Sequence, residues 1–196
     1  MEEYEDYIIY HFEQKSEEWF NIRKNKITGS KFGDIIYQKF NNHENLSKMI
    51  KGELEPSFNE IQIQNMKNGI ENEPIARKKY EELNNCKVKE IGILISKKYN
   101  FLGFSPDGLV GNDGMIEIKC PYKIYYPLLK EGKIWDSHIA QIQGGLFLCK
   151  RKWCDYVVYG HSNQEIYIKK IYYDEKYCNE ILLPSLLNFY EKYLKV

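Results

Sequence analysis

The sequence lacks the cysteine spacing that is typical of disulfide-rich proteins and of zinc-binding motifs. Its five cysteines are an odd number, and no Cys-x-x-Cys motif occurs. The first residues do not have the pattern of a secretory signal, so free thiols in a reducing compartment are the simplest interpretation. Long apolar runs are also missing, and the longest ones are far too short to span a bilayer. We therefore expect a soluble, intracellular protein.

The chain also has no net charge, because Lys+Arg and Asp+Glu both number 28. A strongly basic chain would indicate nucleic-acid binding. Neutrality does not exclude it, since the local charge matters more than the sum. The charge is uneven: the first 18 residues are acidic, whereas residues 119–133 and 150–152 are rich in lysine. Either cluster taken alone would indicate a solvated face.

The first half of the chain has the periodicity of helices. Residues 1–15 predict an acidic N-terminal arm or a short first helix, and Ser16 with the two glutamates after it predicts a helix start. Thr28-Gly-Ser predicts the end of that helix, with Ser30 as the cap of a second one. The polar residues 40–58 predict a loop or short irregular helices. Residues 59–83 predict two helices or one with a break, because Gly69 and Pro74 interrupt the pattern. The side chains expected to be buried here are Trp19, Phe20, Ile22, Phe32, Ile35, Ile36, Ile63, Met66, Ile70, Ala76, Tyr80 and Leu83.

The second half alternates short β-prone stretches with helices. The predicted elements are a three-stranded meander at 88–96, 101–105 and 115–120, a helix at 137–149, strands at 153–159 and 165–173, and a helix at 174–194. Pro106-Asp-Gly and Asn112-Asp-Gly mark turns within the meander. This order predicts an α/β or α+β fold, with a central mixed β-sheet flanked by helices. Because neither a linker nor a repeat divides the chain, we expect a single domain over residues 1–196.

The residues most suited to catalysis lie in the turn Pro106-Asp-Gly and in the predicted strand at 115–120. Residues alternate faces along a strand, so Glu117 and Lys119 point the same way, about 6–7 Å apart. Ile116 and Ile118 then face the core. A hairpin between this strand and the preceding one would bring Asp107 beside Glu117.

An acidic pair of this kind predicts a divalent cation. Two facing carboxylates repel each other and are costly to bury. Mg²⁺ relieves that cost, because it prefers oxygen ligands and keeps waters for chemistry. A lysine on the same strand can stabilise developing negative charge or lower the pKa of a metal-bound water. The combination suits phosphodiester hydrolysis.

Each of these features also has a simpler interpretation. Glu-x-Lys on a strand is usually an exposed charge pair, and Pro-Asp-Gly makes a good turn without any function. The ten-residue spacing between Asp107 and Glu117 favours the catalytic interpretation. So does the strand Met-Ile-Glu-Ile-Lys-Cys-Pro, which hides isoleucines on one face and presents an acid and a base on the other.

Ser105-Pro-Asp-Gly-Leu and Ile116-Glu-Ile-Lys-Cys-Pro121 resemble the core motif of the PD-(D/E)XK nuclease superfamily. More narrowly, they are similar to the lambda-exonuclease, or YqaJ-like viral recombinase, family. Three further parts of residues 16–160 resemble that family in the expected order: Glu18-Trp-Phe-Asn-Ile-Arg23 with Ile27-Thr-Gly-Ser30, then Gly69-Ile-Glu-Asn-Glu73-Pro-Ile-Ala-Arg77, then His138-Ile-Ala-Gln141-Ile-Gln143 followed by Trp153, Asp155 and Tyr159. The resemblance implies a restriction-endonuclease-like core.

The resemblance also implies the ligands of the metal. Asp107 and Glu117 become metal ligands, and the Ile118 carbonyl adds a backbone oxygen. Glu73 becomes a further acid near the metal, although an exposed charge at a helix start is the simpler interpretation of that residue. Lys119 becomes the residue that positions or activates the attacking water.

Further residues are implied in binding the DNA. Gln143 is implied to orient the water or the scissile phosphate, with Gln141 as a second candidate in the same environment. Arg23 and Ser30 resemble the pair that holds a terminal 5′-phosphate. Arg offers a planar fork for phosphate, and a helix start offers backbone donors. The simpler interpretation of Ser30 is an N-cap.

The resulting prediction is a DNA exonuclease that uses one or two Mg²⁺ or Mn²⁺ ions. It would act 5′→3′ on linear duplex DNA with a 5′-phosphorylated end, in recombination or repair. The alternatives are an endonuclease, resolvase or defence nuclease on the same fold, and a catalytically idle DNA-binding module. A hydrolase of another phosphate ester is disfavoured, because no GxxxxGK[ST] loop occurs.

The family resemblance also implies partners. A homo-oligomer is expected, either a ring-shaped trimer or a dimer, together with a single-strand annealing protein. The protein would be cytoplasmic, within a host cell if its origin is viral. No membrane partner and no iron–sulfur cluster are expected, because the four-cysteine arrangement of cluster-bearing relatives does not occur.

Overall fold

A computed structural model describes residues 1–37, 43–122 and 132–195. Within these ranges the strands are β1 Glu2–Glu3, β2 Tyr7–Tyr10, β3 Ile27–Thr28, β4 Val88–Lys89, β5 Ile93–Ser96, β6 Leu102–Phe104, β7 Gly108–Val110, β8 Gly114–Lys119, β9 Trp153–Gly160 and β10 Glu165–Tyr172. They form two five-stranded sheets, ordered β1-β2-β5-β6-β3 and β10-β9-β8-β7-β4. Both sheets are mixed, because β3 pairs in parallel with β6 and β8 with β9. The α/β class and the mixed pairing are confirmed, but the strands divide between two sheets.

Helices flank the two sheets. They are α1 Glu17–Arg23, α2 Gly29–Ile36, α3 His43–Lys51, α4 Glu60–Asn84 and α5 Asp136–Cys149, followed by a C-terminal helical run of α6 Glu175–Tyr177, α7 Leu183–Phe189 and the π-helical segments Cys178–Leu182 and Tyr190–Leu194. Among the described residues, no helix combines the length and apolar character needed to cross a bilayer.

The N-terminal residues are strands rather than an arm or a helix. Tyr7-Ile-Ile-Tyr is β-prone, and β2 pairs with β5 so that Ile9 lies opposite Leu94 and is buried. The backbone pairing and this buried side chain outweigh the acidic composition of the segment. Ser16 then caps α1 as expected, because its hydroxyl accepts a hydrogen bond from the Trp19 N–H.

Burial in α1 and α2 follows the prediction only in part. Trp19 is buried, but Phe20 is 55% exposed, which corrects its predicted place in the core. Ser30 is not the cap of α2. The extended backbone of β3 continues through Thr28, so the helix starts at Gly29 and Ser30 lies exposed in its first turn.

The region between α2 and β4 also differs from the prediction. Residues 43–51 form the regular helix α3, where a loop or short irregular helices were predicted, while residues 40–42 lie outside the described residues. Helix α4 is continuous through Gly69 and Pro74. Its predicted core stripe is wrong in the N-terminal half, where large apolar side chains are 49–62% exposed, namely Ile61, Ile63, Met66 and Ile70. Leu83 is also exposed. Only Ala76 and Tyr80 of that set are buried, because only the C-terminal half of α4 lies under the second sheet.

The three strands of the predicted meander do not form one sheet, because the chain changes from one sheet to the other at Gly92. The stretch 88–96 is two strands in different sheets, since β4 pairs with β7 and β5 with β2 and β6. Between them, a Cβ on Gly92 would lie 2.2 Å from the Phe12 carbonyl oxygen, so only glycine fits where the chain changes sheets. The hairpin that matters for the site is therefore β7–β8.

The second sheet has two different faces. Ile116 and Ile118 pack with Ala76 and Tyr80 of α4 on one side, as the alternation predicts. On the other side, Met115 and Tyr156 belong to the main core, which also contains the apolar stripe of α5. Glu117 and Lys119 share this second face, and α5 is the element that covers them.

Candidate active site

The β7–β8 hairpin brings Asp107 beside Glu117. Gly108 pairs with Ile116, so Asp107, just before β7, lies at the level of Glu117. The Ile118 main-chain N–H donates to Asp107 Oδ2 over 2.6 Å. The other oxygen of Asp107 makes no hydrogen bond within the described part of the chain. The turn and the strand thus present two carboxylates together, which was the predicted geometry.

Glu117 is the centre of a polar cluster at this place. It is 1% exposed, although it carries a carboxylate. Its Oε1 accepts from Lys119 Nζ at 2.5 Å and from Gln141 Nε2 at 2.7 Å. Lys119 Nζ also donates to Gln141 Oε1 over 3.2 Å. Glu117 Oε2 is buried and has no hydrogen-bond partner among the described residues.

The electrostatics of the cluster favour an additional cation. Burial raises the pKa of Asp107 well above its ordinary value, and the charges of Glu117 and Glu73 raise it further. Burial alone would lower the pKa of Lys119, but the carboxylates of Glu117 and Asp107 outweigh this effect and raise it. Lys119 is therefore charged at neutral pH. One ammonium group does not neutralise both acids, and an unpartnered buried carboxylate oxygen is costly.

Glu73 reaches the edge of this cluster through Arg77. Arg77 Nη2 donates to Glu73 Oε1 at 2.8 Å, and Arg77 Nε donates to the main-chain carbonyl of Asp107 at 3.0 Å. Arg77 Nη1 pairs with Glu90 at 2.7 Å. The described residues contain no group of three or more His, Cys, Asp or Glu side chains arranged to hold a metal. Glu73 is thus held by an arginine beside the pair, and it does not form a ligand trio with Asp107 and Glu117.

The two glutamines of α5 lie in different environments, although the same environment was expected for both. Gln141 lies in the acidic cluster. Gln143 is 3% exposed, and its Nε2 donates to the Tyr172 carbonyl at 2.9 Å while its Oε1 accepts from the Asp174 N–H at 2.8 Å. Both ends of its amide are used by the backbone after β10. The role predicted for Gln143, in orienting water or phosphate, stays a prediction, and in this structure its side chain joins α5 to the C-terminal segment.

Arg23 lies near the start of α2. Its guanidinium stacks on the Trp19 ring at 3.9 Å and donates to Thr28 Oγ1 at 3.0 Å. Burial lowers the pKa of Arg23 to about 10, so it still carries its charge at neutral pH. Within the described ranges it forms no ion pair. Thr28 makes no side-chain cap to α2, so the first N–H groups of that helix are not satisfied by it.

The helix start adjoins the acidic cluster. A Cβ on Gly29 would lie 3.5 Å from Gln141 Cγ. Contacts therefore run from Arg23 to Thr28, and from Gly29 through Gln141 to Glu117. This continuity depends on α2 packing against α5, where Gly33 touches Ser137.

Two residues near the site, Tyr156 and His138, were not among the predicted site residues. Tyr156 lies opposite Glu117 in the β8–β9 pair, and its hydroxyl is 2.8 Å from His138 Nδ1. Burial raises the pKa of Tyr156 to about 12. His138 precedes Gln141 by one helical turn, and this spacing could have indicated that both residues lie on one face of α5.

The basic stretches contribute less than their composition indicates. Lys123 and Lys130 of the cluster at 119–133 lie outside the described residues. Lys150 pairs with Asp6, Lys152 pairs with Asp113, and Arg151 donates to the Gly111 carbonyl. The basic run 150–152 is thus engaged in contacts within the chain.

Residues 18–151 match the model of the YqaJ-like viral recombinase domain. The chain belongs to this family. A comparison with curated protein sequences gave no significant match. Among solved structures, this YqaJ-family chain is similar to an alkaline exonuclease, LHK-Exo, from Laribacter hongkongensis, with 30% identity, a TM-score of 0.78, and coverage of 90% of this chain and 92% of that one. LHK-Exo in complex with dAMP matches with the same identity and coverage and a TM-score of 0.77.

A phage-related exonuclease from Haemophilus somnus 129PT shares the fold. It matches with 15% identity and a TM-score of 0.63, over 88% of this chain and 96% of that one. With the family and the LHK-Exo match, the prediction of a restriction-endonuclease-like fold is confirmed. The predicted family resemblance is confirmed as well.

Proposed function

We propose that this YqaJ-family protein is a metal-dependent DNA exonuclease that removes nucleotides from the 5′ end of linear duplex DNA during recombination. The family and the match to LHK-Exo support the exonuclease activity. The observation that carries the proposal is the buried oxygen Glu117 Oε2, which lacks a partner among the described residues and lies in the cluster with Asp107 and Lys119. That arrangement fits a hard divalent cation.

The residues fit Mg²⁺ or Mn²⁺, as one or two ions. Asp107, Glu117 and the main-chain carbonyl of Ile118 would be the ligands, with Glu73 at the edge of the site. When bound, the cation neutralises charge on the phosphate and makes a water molecule a stronger nucleophile. All the donors are oxygen atoms, which agrees with the preference of these ions.

Lys119 brings a positively charged side chain to the scissile phosphate. Its ammonium group is held by Glu117 and Gln141, so it does not need to be ordered during the reaction. A charged donor at this position stabilises the negative charge that develops on phosphate oxygens and orients the attacking water. Gln141 keeps both Lys119 and Glu117 in place, because its amide contacts each of them.

We propose that an anchor for the terminal phosphate sets the direction of degradation. Arg23 provides a charged planar fork, and the α2 N-terminus with Ser30 provides N–H and hydroxyl donors. Gly29 at the start of α2 lies beside Gln141, so a strand end bound by this anchor would have its first phosphodiester bond toward the acidic pair. We also propose a single nuclease domain acting as a homo-oligomer, either a ring-shaped trimer or a dimer. A single-strand annealing protein would receive the product strand.

The test compares linear duplex DNA, with and without a 5′-phosphate, with a covalently closed circle. Each substrate is incubated with Mg²⁺ or EDTA and with wild-type or Lys119→Ala protein. We expect metal-dependent loss of linear DNA only, faster with the phosphate and absent in the variant. Cutting of the circle would indicate an endonuclease, and cutting of neither substrate would indicate a DNA-binding module.

A further inference from the structure

A cavity of about 460 Å³ lies directly beside Lys119. Its walls include Lys119, Tyr156, Trp135, His138, Tyr167 and Asn65. Lys119 is thus shared between the cavity and the cluster with Glu117. The cavity continues the site past the C-terminal end of β8, where it is lined from both α4 and α5.

Aromatic rings form one wall of this cavity, and contacts between the rings fix their orientations. The Trp135 and His138 rings stack with centroids 5.5 Å apart at 29°, and His138 and Tyr156 are 5.7 Å apart at 41°. The contact between His138 Nδ1 and the Tyr156 hydroxyl holds both rings. Trp135 is 50% exposed, so its ring is accessible at the mouth of the cavity.

The chemistry of the wall favours a flat, uncharged group. Among the described residues that line the cavity, none is acidic, and the charged side chains are Lys119 and Lys133. Such a lining does not favour a second metal ion, whereas aromatic faces with a few polar groups bind planar rings.

We propose that this cavity receives a base of the strand being cut, from a nucleotide next to the scissile phosphate. The inference rests on the proposed nuclease function. Every base has a π-face, so stacking on this wall would accept all four bases, as a nuclease that degrades any sequence requires. Seating the base would hold the scissile phosphate beside Lys119.

Gly69 offers a way to close the cavity without disturbing the fold. It lines the cavity from α4, and a Cβ built on it meets no atom within 4 Å. Gly69→Leu would therefore project a side chain into open space. Since glycine is unfavourable inside a helix, the variant should be at least as stable as wild type. Gly69→Ala is the matched control, because it changes the backbone preference but leaves the cavity open.

The experiment measures kcat/KM for 5′-phosphorylated linear duplexes that carry one abasic residue at the first, second or third nucleotide. For wild type and Gly69→Ala, we expect an abasic residue at one position flanking the scissile phosphate to lower kcat/KM about tenfold. Gly69→Leu and Trp135→Ala should cut intact DNA about tenfold more slowly and show no further loss with the abasic residue. Trp135→Phe should restore the dependence, because it keeps a ring.

A binding measurement separates this inference from the proposed function. 2-Aminopurine replaces the base at the sensitive position, and its fluorescence is read with Ca²⁺, or with Mg²⁺ in the Lys119→Ala variant. Quenching should occur on a Gly69→Ala background and be lost on a Gly69→Leu background. Equal abasic penalties or equal quenching in the two Gly69 variants would overturn the base site while cleavage persists. Loss of cleavage in every protein would instead overturn the nuclease function.

Discussion

Arg77 Nε donates a hydrogen bond of 3.0 Å to the main-chain carbonyl of Asp107. This contact ties helix α4 to the turn that carries the first proposed metal ligand. The same guanidinium holds Glu73, so one side chain sets the positions of two acids at the site. Arg77 is mostly buried, and its three nitrogens all have partners.

Arg77→Lys should lower kcat by about 10- to 100-fold, because a lysine cannot hold Asp107 and Glu73 together. The affinity for Mn²⁺, measured by calorimetry, should fall with it. Glu90→Gln is the control, since it removes only the outer ion pair of Arg77, which is exposed on the glutamate side. Loss of activity in both variants to the same extent would contradict a positioning role for Arg77.

Lys119→Ala should reduce cleavage by at least about 100-fold and leave metal binding, because the lysine acts on the phosphate and the water. Asp107→Ala should weaken metal binding as well, since it removes a proposed ligand. Calorimetric titration of both variants with Mn²⁺ distinguishes the roles. Equal affinities in the two variants would reject this assignment.

Gln141→Ala and Gln143→Ala form a matched pair on one helix. Gln141→Ala should leave the thermal midpoint near that of wild type and lower kcat on the order of tenfold, because Lys119 and Glu117 lose their common partner. Gln143→Ala should cost about 1–3 kcal/mol of stability, since it leaves the Tyr172 carbonyl and the Asp174 N–H without a buried partner. Its folded fraction should cut DNA at the wild-type rate. Thermal unfolding and turnover are measured on the same samples, and a reversed pattern would restore the sequence-based assignment.

Arg23→Ala should remove the preference for a 5′-phosphorylated end, by about 10- to 100-fold in kcat/KM, because charge-assisted hydrogen bonds to the phosphate are lost. Cleavage of unphosphorylated ends should change little. Arg23→Lys keeps the charge without the planar fork, so an intermediate preference is expected. An unchanged preference in Arg23→Ala would mean that this residue does not anchor the strand end.

Much of the site could be predicted because its geometry is local. Two residues separated by one position on a strand share a face, so Glu117 and Lys119 were paired by sequence alone. The turn before β7 and the β7–β8 hairpin place Asp107 opposite Glu117, and both are formed by residues close together in the chain. Ser16 as a cap and the helix over residues 136–149 are likewise governed by neighbours along the chain.

The remaining features depend on packing between distant segments. Both Gln141 and Gln143 are plausible site residues from sequence, and only the placement of α5 against β8 and the C-terminal segment decides which amide meets Glu117. The N-terminal half of α4 carries Ile61, Ile63, Met66 and Ile70, yet the packing of the helix leaves these side chains exposed. Residues Tyr7–Tyr10 form a strand because a distant strand, β5, supplies their hydrogen bonds. The sequence by itself determined the acidic pair and its lysine, since their spacing is set by the strand. The tertiary structure decided which glutamine, which arginine and which aromatic rings surround them, because those contacts form only when segments far apart in the chain pack together.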